Sequence, residues 1–286
     1  MHSSSLVVLS SARPLRRLLC SASASARSPS SRSCSCCSFR SPKRNPSISK
    51  VFFTSTSLME CFWTRTRIGS NKELVEYLQQ NGALNSKKVA EVMKTVDRGL
   101  FVPHGNFPYV DSPMDIGYNA TISAPHMHAA CLELLEENLQ PGMRALDVGS
   151  GTGYLTSCFA LMVGPQGRVA GVEHIPELVA SSIKNIQNSA AAPLLKEGSL
   201  VVHVGGLDGQ ILEPYNAIHV GAAAPDIPVP LLDQLKPGGR MVIPVGTFSQ
   251  DLKVVEKKLD GSISVHNETS VRYVPLTSRE DQLQGY

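Results

Sequence analysis

One nine-residue segment constrains the fold of this 286-residue chain more than any other. It runs from Leu146 to Tyr154, begins as an apolar strand pattern and continues into a turn that contains Gly149, Gly151 and Gly153. Glycine is favoured where the backbone turns sharply from a strand into a helix and where a ligand approaches the main chain. The segment therefore predicts a strand, a ligand-binding turn and a helix in succession.

Strand and helix patterns alternate around this turn. Strands are predicted at 145–148, 169–172, 201–204, 217–220, 241–245, 252–257 and 264–273. Helices are predicted at 155–163 and 177–188, and a third ends over 231–235. The last two strands flank Asp260–Gly261, which is typical of a hairpin turn. This alternation indicates one α/β domain with a doubly wound sheet and helices on both faces.

The region before the turn is predicted to be mainly helical. Asn71 and Ser86 are expected to cap two helices, and a third helix is expected at about 126–138. The segment 101–115 contains several prolines and a glycine and is expected to form a loop.

Two acidic residues bear on the ligand of the glycine turn. Glu173 ends the next strand, where an acid can accept hydrogen bonds from ribose hydroxyls. Asp147, just before the glycines, would repel a pyrophosphate but suits a cationic ammonium or sulfonium group. Dinucleotides prefer G-x-G-x-x-G, and Tyr154 occupies the position of its last glycine here. The turn thus favours S-adenosylmethionine. Asp208 is a candidate contact to adenine or, equally, a surface turn residue.

The first part of the chain has a different composition from the rest. Residues 1–58 are rich in Ser and Arg and contain no Asp or Glu, a composition that predicts a disordered, transit-like leader for a plastid or mitochondrion. A disordered tail without an address is the alternative. A form that starts at Met59 would lack the leader and remain in the cytoplasm or nucleus. One domain is expected over 59–286.

Charge and apolar patterning argue against several classes of protein. The formal charge of +3 arises from the leader, and no Lys/Arg stripe with aromatic residues follows it, so a nucleic-acid partner is not expected. No run of eighteen apolar residues occurs, so no membrane span is expected. The cysteines lack zinc-knuckle spacing, and Cys131 and Cys158 are expected to be buried thiols.

Several motifs together resemble the protein-L-isoaspartate (D-aspartate) O-methyltransferase family over about residues 60–280. Besides the glycine turn, they are Asp111–Pro113, Ile116–Tyr118, Ala120–Ala129, Ile218–Pro225 and Asp233–Arg240. The resemblance implies a Rossmann-like class I fold dependent on S-adenosylmethionine. It also implies methylation of L-isoaspartyl and D-aspartyl residues in damaged proteins, whose esters collapse to succinimide and partly revert to aspartate.

The resemblance further implies specific site residues. Ser123 is implied as the active-site residue. The implied and predicted cofactor contacts are Ala120, Thr121, Ile122, Ser123, His128, Asp147, Gly149, Gly151, Glu173, His174, Asp208, Thr277 and Gln282. A monomer would suit access to varied protein substrates.

The chain departs from the family pattern at two places. Gly205–Gly209 replaces a Gly-Asp-Gly-Arg segment, and Asn216 replaces an aspartate. The first departure affects the expected adenine contact, so a catalytically weakened or silent binding protein is an alternative reading. Another methyltransferase on the same fold and a nicotinamide oxidoreductase are further alternatives.

The expected chemistry needs no general base, because a carboxylate is ionised at neutral pH. Ser123 is expected to orient the carboxylate, and it could also cap the helix that follows. A metal is not expected, because His126 and His128 point to different helix faces and have no partner motif. His174 and His219 are expected to form hydrogen bonds near strand ends. The small residues Ala222–Ala224 would let an extended peptide approach.

Overall fold

The computed structural model describes residues 68–206 and 214–285, which form helices around one large sheet and one small hairpin. The helices are α1 (Asn71–Gln80), α2 (Lys87–Thr95), α3 (Pro125–Leu135), α4 (Tyr154–Val163), α5 (Pro176–Gln187), α6 (Ala192–Lys196), α7 (Val229–Gln234) and α8 (Arg279–Gln284). Two single 3-10 turns occupy Arg98–Leu100 and Glu136–Asn138. The expected leader and the boundary before Met59 lie outside the described residues.

Nine strands are present in these residues. They are β1 (Met114–Gly117), β2 (Ala120–Ile122), β3 (Arg144–Val148), β4 (Arg168–Glu173), β5 (Leu200–Val204), β6 (Tyr215–Val220), β7 (Leu235–Val245), β8 (Gln250–Lys257) and β9 (Ile263–Val271). β1 and β2 form a separate antiparallel hairpin. The other seven form one sheet in the order β5-β4-β3-β6-β7-β8-β9.

The large sheet has the predicted doubly wound topology. β3 to β7 are parallel, and β8 and β9 are antiparallel additions at one edge. Neighbouring residues on the central strands belong to two different apolar clusters, as Ala145 and Leu146 do on β3. Because side chains alternate between the faces of a strand, the sheet carries a core on each face. The strand order reverses at β3, which places a crevice at the carboxyl ends of β3, β4 and β6.

The N-terminal helices differ from the prediction in one cap. Ser70, not Asn71, caps α1, and its Oγ accepts a hydrogen bond from the Glu73 amide at 3.3 Å. The Asn71 side chain is buried and its amide nitrogen donates to the carbonyl oxygens of Met93 and Val96 at 2.8 and 3.3 Å. These carbonyls at the end of α2 lack helical partners, so Asn71 fastens α1 to α2. The Ser86 cap of α2 is confirmed.

The β1–β2 hairpin lies partly in the segment expected to be a loop. Gly117, Tyr118 and Asn119 form its turn with positive φ angles of 85°, 57° and 56°. Two non-glycine residues in this region need support from their surroundings. Gln282 provides it, because its side chain donates to the Tyr118 carbonyl at 2.9 Å and its own carbonyl accepts from Asn119 at 2.7 Å. Strands of three or four residues are too short to show a period of two in the sequence.

Two further predictions about local structure are wrong. Ser123 does not cap α3, because the helix begins at Pro125 with Ala124 as its cap and no side-chain cap bond. β7 begins at Leu235 rather than 241 and runs through Pro237–Gly239, ahead of the predicted start of the strand. Pairing with Tyr215 at the start of β6 extends that strand, and a shift of register accommodates the extra residues. No helix within 68–206 or 214–285 is long and apolar enough to cross a membrane.

Candidate active site

Three cavities meet at the carboxyl end of the sheet. The outer cavity, about 600 Å³, lies among the glycine turn, Glu173 and residues 274–278. The inner pocket, about 40 Å³, lies among Ser123, Asp147 and the two histidines His128 and His219. The lateral groove, about 500 Å³, is bordered by residues 123–127 and 270–274. Thr121 and Gly221 line all three cavities, and Ser123 lines the inner pocket and the lateral groove.

The glycine turn adopts the backbone conformation that its sequence predicts. Gly149, Gly151 and Gly153 have positive φ angles of 72°, 53° and 88°. A Cβ at Gly221 would lie 2.8 Å from the Gly149 carbonyl oxygen, so the start of the Gly221–Ala224 segment packs directly on the turn. This close approach brings the end of β6 against the end of β3, where the three cavities meet.

Glu173 holds the turn from the neighbouring strand. Its Oε2 accepts from the Gly151 amide and its Oε1 from the Ile175 amide, both at 3.0 Å. The carboxylate is buried and lines the outer cavity. Each carboxylate oxygen has lone pairs beyond the one used, so Glu173 can also accept hydrogen bonds from ligand hydroxyls.

Asp147 and His219 form the acidic wall of the inner pocket. Asp147 is buried, and its two oxygens contact His219 Nδ1 at 2.8 Å and the Thr156 hydroxyl at 2.5 Å. Burial lowers the pKa of His219, but hydrogen bonds and charge interactions with Asp147 and Cys131 together outweigh burial and raise the pKa to about 10. His219 is therefore protonated at neutral pH and balances the Asp147 charge. The predicted hydrogen-bonding role of His219 is confirmed.

Arg98 and His128 form the basic wall opposite. The fully buried Arg98 places Nη1 3.2 Å from His128 Nδ1 and donates from Nη2 to the Ser123 carbonyl at 2.8 Å. Burial and the neighbouring Arg98 charge hold the pKa of His128 well below its usual value, so this ring is neutral. Burial lowers the pKa of Arg98 to about 10, which still leaves it charged. Both side chains lie against the ring of Tyr154.

The outer cavity brings together residues that are distant in sequence. His174 Nε2 and Gln282 Oε1 are 2.8 Å apart, although 108 positions separate them. His174 therefore forms the predicted hydrogen bond near a strand end. The Thr277 hydroxyl donates to Asp281 at 3.3 Å and closes the same rim. The C-terminal helix α8 thus covers the cavity and fixes the β1–β2 turn at once.

Most of the predicted site residues line these cavities. The outer cavity contains Ala120, Thr121, Gly149, Gly151, Glu173, His174, Thr277 and Gln282. The inner pocket contains Thr121, Ile122, Ser123, His128, Asp147, Gly149 and Gly151. Asp208 lies outside the described residues, although Gly205 and Gly206 before it line the outer cavity.

The second departure from the family pattern lies away from the cavities. Asn216 is at the start of β6, and its side-chain oxygen accepts from the Arg144 amide at 3.1 Å. It therefore links the amino ends of β6 and β3, at the opposite edge of the sheet from the site. An aspartate oxygen could accept the same bond.

The lateral groove contains two polar side chains to which sequence patterns assigned no role in the site. His126 is half exposed and its Nδ1 lies 2.9 Å from Asp111 Oδ1. Tyr273 lines the groove with Ser123, and burial followed by interactions with Cys131 raises the pKa of its phenol well above the usual value. In the part of the chain that the structure describes, no three His, Cys, Asp or Glu side chains cluster as metal ligands.

Arg98 is the main site residue that sequence reasoning missed. It lies between Asp97 and Gly99, in a 3-10 turn in which the Gly99 amide donates to the Asp97 side chain at 2.8 Å. Its backbone amide donates to the Asn71 side chain at 3.3 Å, so α1 also helps to position it. A single arginine between an aspartate and a glycine gives no periodic signal that distinguishes a buried guanidinium from an exposed one.

The inner and outer cavities fit a nucleoside with a charged amino-acid end. Ser150 and Thr152 have buried hydroxyl oxygens without a partner among the described residues, and both residues line the inner pocket. Glu173 offers acceptors for ribose hydroxyls in the outer cavity. The inner pocket offers a carboxylate, a neutral imidazole and hydroxyls for groups of both charges. These donors and acceptors suit S-adenosylmethionine.

Comparison with known proteins gives a consistent family. The family model for protein-L-isoaspartate(D-aspartate) O-methyltransferase matches residues 69–281. A protein-L-isoaspartate O-methyltransferase of Triticum aestivum is 67% identical over 228 residues, which cover 79% of this chain and 99% of the relative. Protein-L-isoaspartate O-methyltransferase 1 of Arabidopsis thaliana is 67% identical over 229 residues, 79% of this chain and 100% of that protein.

A solved structure agrees with these relatives. The crystal structure of a Plasmodium falciparum chain, described as a protein-L-isoaspartate O-methyltransferase in complex with S-adenosyl-L-homocysteine, aligns with a TM-score of 0.68 and 35% identity. The alignment covers 73% of this chain and 99% of the other.

Proposed function

Because the chain belongs to the protein-L-isoaspartate (D-aspartate) O-methyltransferase family, we propose that it methylates isoaspartyl and D-aspartyl carboxylates in damaged proteins with S-adenosylmethionine as donor. The observation that carries this proposal is the meeting of three cavities at Thr121 and Gly221. A cofactor in the outer cavity and a polypeptide in the lateral groove would come together at this junction.

Different residues bind different parts of the cofactor and the substrate. Glu173 accepts hydrogen bonds from ribose hydroxyls, and the inner pocket holds the amino-acid end of the cofactor. When bound, S-adenosylmethionine would supply an activated methyl group, whose bond to sulfur would break as its bond to a carboxylate oxygen forms, leaving S-adenosylhomocysteine and no proton to remove. Ser123, at the junction of inner pocket and groove, orients that carboxylate with its hydroxyl.

The site contributes position and exclusion of water rather than acid–base chemistry. A carboxylate is already a nucleophile at neutral pH, so a general base is not needed. Most of the lining of the inner pocket is buried, so the reacting groups meet away from bulk water. Gly221, without a side chain, leaves room for an extended chain in the lateral groove, whereas Ala222 and Ala224 line the outer cavity.

Transfer of labelled methyl from S-adenosylmethionine tests the proposal directly. The full chain is given an isoaspartyl peptide and, as the matched control, the same peptide with normal aspartate. Base-labile label on the isoaspartyl peptide alone is the expected result. A folded protein that labels neither peptide would contradict it.

The altered segment at Gly205–Gly209 is the basis of the alternative reading, a catalytically weakened or silent binding protein, which the relatives of 67% identity do not favour. Gly205 and Gly206 line the outer cavity, so a change here can reach the cofactor. Calorimetric titration with S-adenosylhomocysteine separates two cases when transfer is absent. Binding without transfer would favour the silent protein, and no binding would place the defect in the adenine region.

The N-terminal segment is proposed to direct the protein to an organelle. The acid-free, Ser- and Arg-rich composition of residues 1–58 supports a plastid or mitochondrial address, with an untargeted form starting at Met59. A fluorescent reporter fused after the intact leader should enter an organelle, and a diffuse cytosolic signal would contradict the address.

The oligomeric state is proposed to be a monomer, which keeps the lateral groove open to protein substrates. Sedimentation of the full chain measures it.

A further inference from the structure

Arg98 is a buried cation without an acidic partner. No carboxylate lies within ion-pair distance of it in the described ranges, and its Nε has no hydrogen-bond partner there. Burial of a guanidinium without a carboxylate partner is unfavourable for folding. The contacts of its guanidinium lie in the basic wall, at Ser123 and His128, and against the ring of Tyr154. A role in the site accounts for this placement better than a role in stability.

The contact with His128 determines which ring nitrogen carries the proton. A guanidinium has five N–H donors and no acceptor. At 3.2 Å from Arg98 Nη1, His128 Nδ1 can only accept, through its lone pair. The neutral ring must then carry its hydrogen on Nε2. No described residue accepts a hydrogen bond from Nε2, and His128 lines the inner pocket.

We propose that Arg98 is a positioning residue that fixes His128 as the Nε2–H tautomer and holds the Ser123 main chain. The inner pocket then presents two donors, His128 Nε2–H and the Ser123 hydroxyl, to one class of ligand group, a carboxylate. This inference rests on the proposed function, in which both the cofactor and the substrate carry a carboxylate. The two planar branches of one guanidinium reach both partners at once.

Because Arg98 contacts its two partners through two separate nitrogens, a lysine at this position distinguishes the effect of charge from the effect of geometry. Arg98 uses Nη1 for the ring and Nη2 for the Ser123 carbonyl. A lysine ammonium keeps the charge but presents donors from a single point on a shorter head group. Arg98→Lys therefore separates the charge of this residue from its positioning role. Arg98→Met removes both.

Nitrogen-15 spectra of histidine in the full chain test the tautomer without any assay of activity. Two-bond correlations distinguish Nε2–H, Nδ1–H and doubly protonated rings, and His128→Gln assigns the signal. The wild-type protein should show His128 as the Nε2–H form. A wild-type ring that is Nδ1–H or doubly protonated would overturn the proposal, even if no Arg98 variant folds. This result is independent of whether methyl transfer is found.

Binding and kinetic measurements then identify which carboxylate is involved. In Arg98→Lys and Arg98→Met, we expect either the Kd for S-adenosylhomocysteine or the KM for the isoaspartyl peptide to rise by about tenfold or more. A rise in Kd assigns the donors to the cofactor, and a rise in KM alone assigns them to the substrate. If both constants stay within about twofold in folded variants, the proposal is wrong.

A matched pair of His128 variants gives a second test. His128→Gln places a side-chain N–H near the former Nε2, whereas His128→Asn places its amide near the former Nδ1. We expect the affected constant, the Kd for S-adenosylhomocysteine or the KM for the peptide, to be about tenfold lower in the Gln variant than in the Asn variant. Equal loss in both, or the reverse order, would show that the donor at Nε2 has no role.

Discussion

His128 and His219 lie on opposite walls of the inner pocket and differ in the charge of their nearest partner. His128 contacts the Arg98 guanidinium and is neutral, with its pKa well below the usual value. His219 contacts the Asp147 carboxylate and is protonated, with its pKa raised to about 10. Both rings are buried, so desolvation acts on both in the same direction. Burial lowers the pKa of both rings, and the partner decides the outcome, because Arg98 adds to this effect at His128 whereas Asp147 and Cys131 outweigh it at His219.

The two walls also offer different groups to a ligand. The acidic wall holds one negative and one positive charge in contact, so its net charge is close to zero. The basic wall holds a cation beside a neutral ring and the Ser123 main chain, so it remains positive. A ligand with an ammonium and a carboxylate can be oriented by such a difference, because each end is favoured at one wall.

The largest effect is expected from breaking the acidic wall. Asp147→Asn removes the carboxylate that His219 and Thr156 both contact. Removal of one partner from a buried ion pair costs about 3–5 kcal/mol of folding stability. Because Asp147 also lines the inner pocket proposed to hold the amino-acid end of the cofactor, methyl transfer should fall by more than about 100-fold. Thermal unfolding and the transfer assay measure the two consequences. Asp233→Asn, at an exposed position on α7, is the control and should behave as wild type.

A smaller loss is expected at the junction of the basic wall and the groove. Ser123→Ala removes one hydrogen bond to a charged carboxylate, worth about 1.5–3 kcal/mol, so kcat/KM should fall by roughly 10- to 100-fold. The Kd for S-adenosylhomocysteine should change little if the hydroxyl acts on the substrate. Ser270→Ala is the matched control, because Ser270 lines the same groove with its hydroxyl bonded to Asp251. Equal losses in the two variants would contradict a specific role for Ser123.

The pH dependence of stability should separate the two histidines. His219 binds its proton more tightly in the folded state, so its stabilisation is complete below about pH 6.5 and is lost as pH rises towards 10. Its contribution can fall by up to about 1.4 kcal/mol per pH unit. His128 resists protonation when folded, so it destabilises the fold as pH falls below 6.5. Urea unfolding from pH 5 to 10 should show that His219→Gln flattens only the alkaline limb. An unchanged alkaline limb would mean that His219 is not protonated.

The smallest effect is expected outside both walls. Asn216→Asp restores the family residue at the amino edge of the sheet, where either side chain can accept from the Arg144 amide. Stability should change by less than about 0.5 kcal/mol and transfer should be unaffected. A marked gain in transfer would show that this departure influences the site, contrary to its position in the fold.

The glycine turn and the two acids beside it, Asp147 and Glu173, could be predicted from the sequence because their signals are local. A strand pattern, three glycines and an acid at the end of the next strand lie within 28 positions, from Leu146 to Glu173. Backbone conformation in such a turn depends on the residues of the turn itself. The doubly wound sheet followed from alternating patterns for the same reason. The family motifs supplied Ser123, His128, His174, Thr277 and Gln282.

Only the tertiary structure decided what each polar group contacts. Asn71 links two helices instead of capping one, and Ser123 caps none, because both alternatives satisfy local rules equally well. Gln282 contacts His174 because α8 lies over the outer cavity in the folded chain. Arg98 gave no signal, since its partners are a ring nitrogen and a main-chain oxygen far along the chain. Sequence patterns encode conformation over a few residues, whereas charge states in a buried site depend on neighbours that folding alone brings together.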